Sequence, residues 1–206
     1  MRNVSKTLGT GLAITLAGML PIVGLFFTIH AATDLSGDEV PVSLVSDAAP
    51  AFALDAVTED VLWLARCIYS ETKRAEEQEL VAWVVRNRVE TGYRGETEYE
   101  DVVLDPYQFS AFNPGNPKRR LYTSLTPSAD SPAFVQALQI AHDVYHAPAT
   151  ARPFPNKTRH FYSERSMVGG AVPNWSAGHA PVRPTRFRID PRRFRFYSGV
   201  AAALKL

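Results

Sequence analysis

The longest uncharged stretch of the chain, residues 8–29, lies close to the N-terminus and is predominantly apolar. About 20 such residues span the hydrocarbon core of a bilayer as a helix. Basic residues precede the stretch and acidic residues follow it, which places the N-terminus in the cytoplasm. We predict an N-terminal signal anchor within residues 1–32, a single pass through the inner (cytoplasmic) membrane, with the remaining chain outside in the periplasm or cell wall. A cleaved signal peptide is the alternative.

Residues 33–56 have a different pattern. They combine acidic and small residues with Pro41 and Pro50, and no helical period runs through them. Such a segment is typical of an exposed linker. We therefore expect one folded domain, over residues 57–206.

Three segments of this domain carry apolar residues at helical spacing. The first begins after Thr58, a good N-cap, and ends near Glu71. The second covers residues 76–90. The third opens with proline at its first position, Pro132, and stops before Pro148.

The rest of the domain is less regular. Residues 93–130 are rich in proline and show no clear period, and loops of that length are often functional. Later, short aromatic or alternating runs predict small strands at residues 159–162, 187–189 and 194–197. The predicted class is α+β, mostly helical, with a small C-terminal β element.

Charge and cysteine content narrow the function classes. The net charge of +1 gives no indication of a nucleic-acid partner, and we expect none. The single cysteine, Cys67, excludes an intramolecular disulfide and a cysteine-based zinc site. A local basic stretch is either a solvated face or a contact for anionic cell-wall polymers, lipopolysaccharide or lipid headgroups. It consists of Arg183, Arg186, Arg188, Arg192, Arg193 and Arg195.

Glu71 is the candidate acid of the chain. It lies three residues after Ile68 and seven after Leu64, so it shares the core-facing stripe of the first helix. Partial desolvation and the negative end of the helix dipole both raise the pKa of a carboxyl group there. A carboxylic acid that stays protonated near neutral pH is able to protonate a glycosidic oxygen. An ordinary exposed glutamate at a fraying helix end is the alternative.

A set of short motifs follows Glu71 in a fixed order. They are Glu77-Gln78, V-A-W-V-V-R-N-R-V at 81–89, D-V-V at 101–103, Q-F-S at 108–110, H-F-Y at 160–162, Trp175 and Phe196-Tyr197. In this order and spacing, residues 61–197 resemble the SleB-type cell wall hydrolases, the spore-cortex-lytic enzymes and their relatives. One departure is the turn after Glu71, where many relatives have Ala-Arg-Gly-Glu and this chain lacks the glycine. The turn therefore has no residue that adopts a positive φ without cost.

The resemblance implies a lysozyme-like domain that cuts peptidoglycan between N-acetylmuramic acid and N-acetylglucosamine. Enzymes of this group are often lytic transglycosylases, in which a single glutamate, here Glu71, serves as acid and then as base. Such chemistry requires no cofactor and no metal. Hydrolysis with a second acid is the alternative, and Asp101 and Asp105 are the only acids in residues 101–112.

The same resemblance suggests residues for the glycan cleft. Gln108, Phe109 and Ser110 are expected to form one wall, with the amide and hydroxyl groups bonding N-acetyl groups. Tyr162 and Trp175 are candidate sugar-stacking aromatics. The alternative for these aromatic residues is a place in the core.

Two other classes of function remain open. One is a non-catalytic peptidoglycan-binding or virion-associated module of the same fold, which the altered turn after Glu71 makes conceivable. The other is a zinc hydrolase, because His142 and His146 are spaced four residues apart on a predicted helix. His160 or His179 would then be the third ligand.

Overall fold

The computed structural model describes residues 57–202. The predicted membrane helix and linker, residues 1–56, lie outside the described residues. Within residues 57–202, no helix has the length and apolar character needed to cross a membrane. This part of the chain is mostly helical with one two-stranded sheet, which confirms the predicted α+β class.

The three long helices form where the apolar period predicts them. They are α1 (Glu59–Glu71), α2 (Ala75–Glu90) and α5 (Pro132–His146). The Thr58 hydroxyl caps α1 by accepting a hydrogen bond from the Val61 amide, and Ser131 caps α5 in the same way. The starts of both helices are thus fixed by side chains that the sequence already indicates.

These helices pack on one another and form the main core. α1 contacts α2 and α5, and α2 contacts α5. Trp83 from α2 is fully buried and belongs to the same cluster as Leu64 and Ile68 of α1 and Phe134 and Leu138 of α5. Helix α2 buries residues on every side, which makes it the central element of the domain.

Two short helices lie in the stretch that the sequence left irregular. α3 (Tyr99–Leu104) and α4 (Arg119–Thr123) are six and five residues long. A helix of one or two turns contains too few positions for a 3.6-residue period to be recognised. α3 nevertheless contributes Val102 and Val103 to the core.

The sheet pairs β1 (Thr158–Tyr162) with β2 (Arg195–Ser198) in antiparallel orientation. The strands predicted at 159–162 and 194–197 are confirmed to within one residue. The strand predicted at 187–189 is wrong, because that segment lies between Pro184 and Pro191 and pairs with neither strand.

A polar residue of α2 attaches this sheet to the helices. Asn87 is fully buried, and its Nδ2 donates a 2.9 Å hydrogen bond to the carbonyl oxygen of Thr158. A buried amide requires such a partner. The contact fixes β1 against the end of α2.

Candidate active site

Glu71 is the last residue of α1, and its side chain is partly buried. Within residues 57–202 no group donates a hydrogen bond to its carboxylate. Burial raises the pKa of Glu71 to about 7, and the nearby charge of Arg88 works against that rise. A carboxyl group with such a pKa is partly protonated at neutral pH and is suited to give and take a proton.

Arg88 is a buried cation whose charge acts on the Glu71 carboxyl group. Only 4% of the residue is exposed, and its Nε donates a 2.8 Å hydrogen bond to the carbonyl oxygen of Arg159. Its guanidinium carbon lies 4.9 Å from the centre of the Phe109 ring and 5.2 Å from that of Tyr93. Its Nη1 is buried and has no hydrogen-bond partner in the described part of the chain. Arg88 thus brings a positive charge into the interior near Glu71 without forming an ion pair there.

The turn between α1 and α2 holds Glu71 in place through side chains. Thr72 Oγ1 donates a 2.6 Å hydrogen bond to Glu77 Oε2, and Gln78 Nε2 donates to the carbonyl oxygen of Thr72 at 2.9 Å. Arg193 from the C-terminal segment pairs with the same Glu77 carboxylate at 2.5 and 2.9 Å. Burial raises the pKa of Glu77, but the hydrogen bonds from Arg193 and Thr72 outweigh it, so the net pKa is lowered.

The backbone angles of this turn show why it forms without glycine. None of the turn residues between Glu71 and Ala75 has a positive φ. Thr72 is extended, with φ of −157°, and Arg74 has φ of −95°. The backbone therefore leaves α1 through ordinary extended conformations, and glycine is not needed.

A cavity of about 320 Å³ opens near the end of α1. Its lining residues are Ser70, Ser110, Ala111, Asn116, Pro117, Lys118 and Tyr122. Ser70 immediately precedes Glu71. Burial raises the pKa of the Tyr122 hydroxyl, and the charges of Tyr69 and Glu71 add to the rise, which places this ring near the acid.

A second tyrosine, Tyr69, packs against Tyr122 and does not itself line the cavity. Tyr69 and Tyr122 meet edge to face, with ring centres 6.1 Å apart. Lys73 Nζ lies 3.1 Å from the centre of the Tyr69 ring. Burial and the charge of Lys118 lower the pKa of Lys73 to about 8. One side of the cleft is therefore aromatic and cationic, which the sequence alone did not indicate.

The Q-F-S segment reaches this cavity only in part. Ser110 is exposed and lines it, and Gln108 is half-buried. Phe109 is 1% exposed and packs against Arg88 and Phe161, so its ring supports the cleft from within the core and offers no face to a sugar.

Tyr162 and Trp175 lie in a separate aromatic cluster next to the sheet. The Tyr162 ring stacks on Tyr197 with centres 5.9 Å apart, and Trp175 meets Tyr197 edge to face at 5.3 Å. Tyr162 is buried and Trp175 is half-buried. Neither residue lines the cavity that contains Ser110.

The two aspartates proposed as a second acid differ in environment. Asp105 is buried, and its Oδ2 pairs with Arg94 Nε at 2.6 Å. Asp101 is exposed on α3. The buried aspartate is thus already neutralised by a cation, which disfavours its use as a general base.

The histidines do not form a metal site in the described part of the chain. The rings of His142 and His146 are 4.5 Å apart, but residues 57–202 contain no group of three or more potential metal ligands. His160 Nε2 instead forms a 2.9 Å hydrogen bond with the Tyr93 hydroxyl. Burial lowers the pKa of His160 to about 3, so this imidazole is neutral.

A partly buried carboxylic acid whose pKa is raised by burial is typical of the general acid in enzymes that cleave glycosidic bonds. Comparison with protein families matches residues 72–188 to the family described as Cell Wall Hydrolase, that of the SleB-type spore-cortex-lytic enzymes. The chain belongs to this family, whose general activity is peptidoglycan hydrolysis. The match begins one residue after Glu71, so it does not itself assign the acid. Comparison with curated proteins found no match, and comparison with solved structures found none.

Proposed function

We propose that this protein is a lytic transglycosylase that cuts the glycan strand of peptidoglycan between N-acetylmuramic acid and N-acetylglucosamine. The observation that carries the proposal is the state of Glu71. Its pKa of about 7 leaves the protonated and ionised forms in comparable amounts at neutral pH, as one group acting first as acid and then as base requires.

The proposed reaction has two steps at this carboxyl group. Glu71 first donates its proton to the glycosidic oxygen, the bond from that oxygen to C1 of the muramic acid breaks, and the N-acetylglucosamine leaves with a hydroxyl group. The Glu71 carboxylate then takes the proton of the muramic acid 6-hydroxyl as that oxygen attacks C1, which gives a 1,6-anhydro product. The buried charge of Arg88 favours the carboxylate formed between the steps.

The surroundings of Glu71 support a mechanism with one acid. Glycosidases of the two-carboxylate type place their acids about 5 to 9.5 Å apart and use the second one as nucleophile or base. Asp105 is occupied by Arg94, and Asp101 is exposed on α3. An internal hydroxyl of the substrate therefore replaces the second acid.

The cavity supplies groups suited to an amino sugar. Ser110, Asn116 and Lys118 provide hydrogen-bonding groups, and Tyr122 provides an aromatic ring. Gln108 remains a candidate ligand for an N-acetyl group, and Trp175 for a sugar farther along the strand. We also infer a lysozyme-like arrangement, because a helix ends in the acid and the domain is mostly helical with one small sheet.

We further propose that the enzyme works outside the cytoplasm while tethered to the inner membrane. The uncharged residues 8–29, with basic residues before them and acidic residues after, support this location.

The test is mass spectrometry of the fragments that the full-length protein releases from purified peptidoglycan. We expect 1,6-anhydro-muramic acid ends from the parent and none from Glu71→Gln. Glu100→Gln is the matched control, since it makes the same change at an exposed residue of α3 and should leave activity intact. Reducing muramic acid ends would show a hydrolase instead. Binding to the wall without any product from the parent would show a non-catalytic module.

A further inference from the structure

A groove of about 750 Å³ lies along the C-terminal segment, between residues 181 and 196. Its volume falls within the range of about 300 to 1,000 Å³ that is usual for pockets that bind small ligands. The lining is largely apolar. Val182, Phe187 and Ile189 are half-buried there and pack against the main core.

The arginines of this segment are not equivalent. Four of the six form ion pairs: Arg186 with Glu79, Arg192 with Asp190, Arg193 with Glu77 and Arg195 with Glu164. Within residues 57–202, Arg183 and Arg188 have no acidic partner, and both are exposed and line the groove. The basic stretch thus leaves two uncompensated cations, both at the edge of an apolar surface.

The groove adjoins the segment that follows the proposed acid. A smaller depression of about 290 Å³ shares Arg188 and Ile189 with the groove. Its other wall is the start of α2, with Arg74, Ala75 and Glu76 among the lining residues. The groove and the depression therefore form a continuous surface from Arg74, in the turn after Glu71, to Arg188.

We propose that this groove binds the short peptides that branch from the glycan strand. Their free carboxylates would pair with Arg183 and Arg188, and their alkyl groups would contact Val182, Phe187 and Ile189. This inference rests on the proposed function, since it takes peptidoglycan as the substrate. A ligand with carboxylates and alkyl groups close together complements both parts of the groove, whereas a purely anionic polymer would leave the apolar lining unused.

The first test is direct binding of one defined peptide to the full-length protein. The probe is fluorescently labelled L-Ala-γ-D-Glu-meso-diaminopimelate-D-Ala, followed by anisotropy. We expect Arg183→Gln/Arg188→Gln to bind about five- to tenfold more weakly, as the loss of two exposed ion pairs implies. The control Arg120→Gln/Lys157→Gln removes two charges from exposed residues that do not line the groove, and it should bind like the parent. No binding by the parent, or equal binding by all three proteins, would overturn the proposal.

A second test separates this inference from the proposed function. The parent should cleave peptide-bearing glycan faster than glycan stripped of its peptides, and the groove variant should lose that preference. If the parent cleaves both substrates equally, the groove proposal fails while the proposed function stands. If it cleaves neither but binds the peptide through the two arginines, the proposed function fails and the groove remains a peptide site. Loss of binding to anionic lipid vesicles in the variant, without any peptide binding, would assign the groove to lipid and overturn the proposal.

Discussion

Thr72 and Glu77 are joined across the turn between α1 and α2 by a 2.6 Å hydrogen bond, in which the threonine hydroxyl donates to the buried carboxylate. Glu77 is also the partner of Arg193, which comes from the far end of the domain. One carboxylate therefore ties the residue directly after the proposed acid to the segment before β2. The position of Glu71 depends on a contact that is distant in sequence.

We expect Thr72→Val to destabilise the domain by about 1 to 3 kcal/mol, because a buried hydrogen bond to a charged group is lost while the volume is kept. The measurement is urea unfolding of the full-length protein. Thr126→Val is the control, since the Thr126 hydroxyl bonds Ser128 at the exposed surface, and its effect should stay below about 0.5 kcal/mol. Equal effects of the two substitutions would contradict the structural role of Thr72.

The charge of Arg88 should set the pH range of the enzyme. It lowers the pKa of Glu71, so its removal in Arg88→Gln should raise that pKa. Because the acid must be protonated to act, activity should then persist to higher pH, and the alkaline limb of kcat/KM against pH should move upward.

The matched variant for this experiment is Arg88→Lys, which keeps the charge and should keep the alkaline limb near that of the parent. Arg88 is buried, so circular dichroism of each variant is recorded to confirm that it folds. An alkaline limb that stays in place in folded Arg88→Gln would show that Arg88 has no electrostatic influence on the acid.

The parts that the sequence predicted well are those in which the signal is local. α1, α2 and α5 are long enough to show a period, and Thr58 and Ser131 mark the starts of α1 and α5 by capping. The end of α1 at Glu71 is predicted for the same reason, because it follows from the period of an amphipathic helix, and the role of Glu71 as the acid stays a prediction.

The parts that were missed depend on contacts distant in sequence. The alternation at 187–189 resembles a strand, but a strand needs a neighbouring edge, and β2 is already paired with β1. Tyr122 and Asn116 become cleft residues only because the loop before α5 folds back toward Ser70. The burial of Arg88 could not be predicted from its place in the motif at 81–89, because an arginine is rarely expected in the protein interior.

Tyr122 should contribute to glycan binding more than to chemistry. We expect Tyr122→Ala to raise KM for glycan strands about tenfold, as the loss of one aromatic stacking contact implies, with a smaller change in kcat. Tyr122→Phe keeps the ring and should stay within about threefold of the parent in KM, as expected when only the hydroxyl is lost. If the phenylalanine variant is as impaired as the alanine variant, the hydroxyl rather than the ring is the binding group.

The raised pKa of Glu71 has a cost in stability that can be measured. Its pKa is about 7 in the folded protein against an ordinary value of 4.5, so the folded state holds its proton more tightly than the unfolded state. For a carboxyl group with a raised pKa, the stability is greatest at pH below the pKa of the unfolded state and falls as the pH rises through the pKa of the folded state.

Glu71→Gln, which cannot ionise, should therefore be more stable than the parent at pH 8 by about 1 to 3 kcal/mol. The advantage should shrink steadily between pH 7 and pH 4.5, as followed by urea unfolding at each pH. The control is Glu100→Gln, which removes an exposed carboxylate and should change the free energy of unfolding at pH 8 by less than about 0.5 kcal/mol. A constant difference between parent and Glu71→Gln across this range would mean that burial does not raise the pKa of Glu71, and the acid would then need another source of its proton at neutral pH.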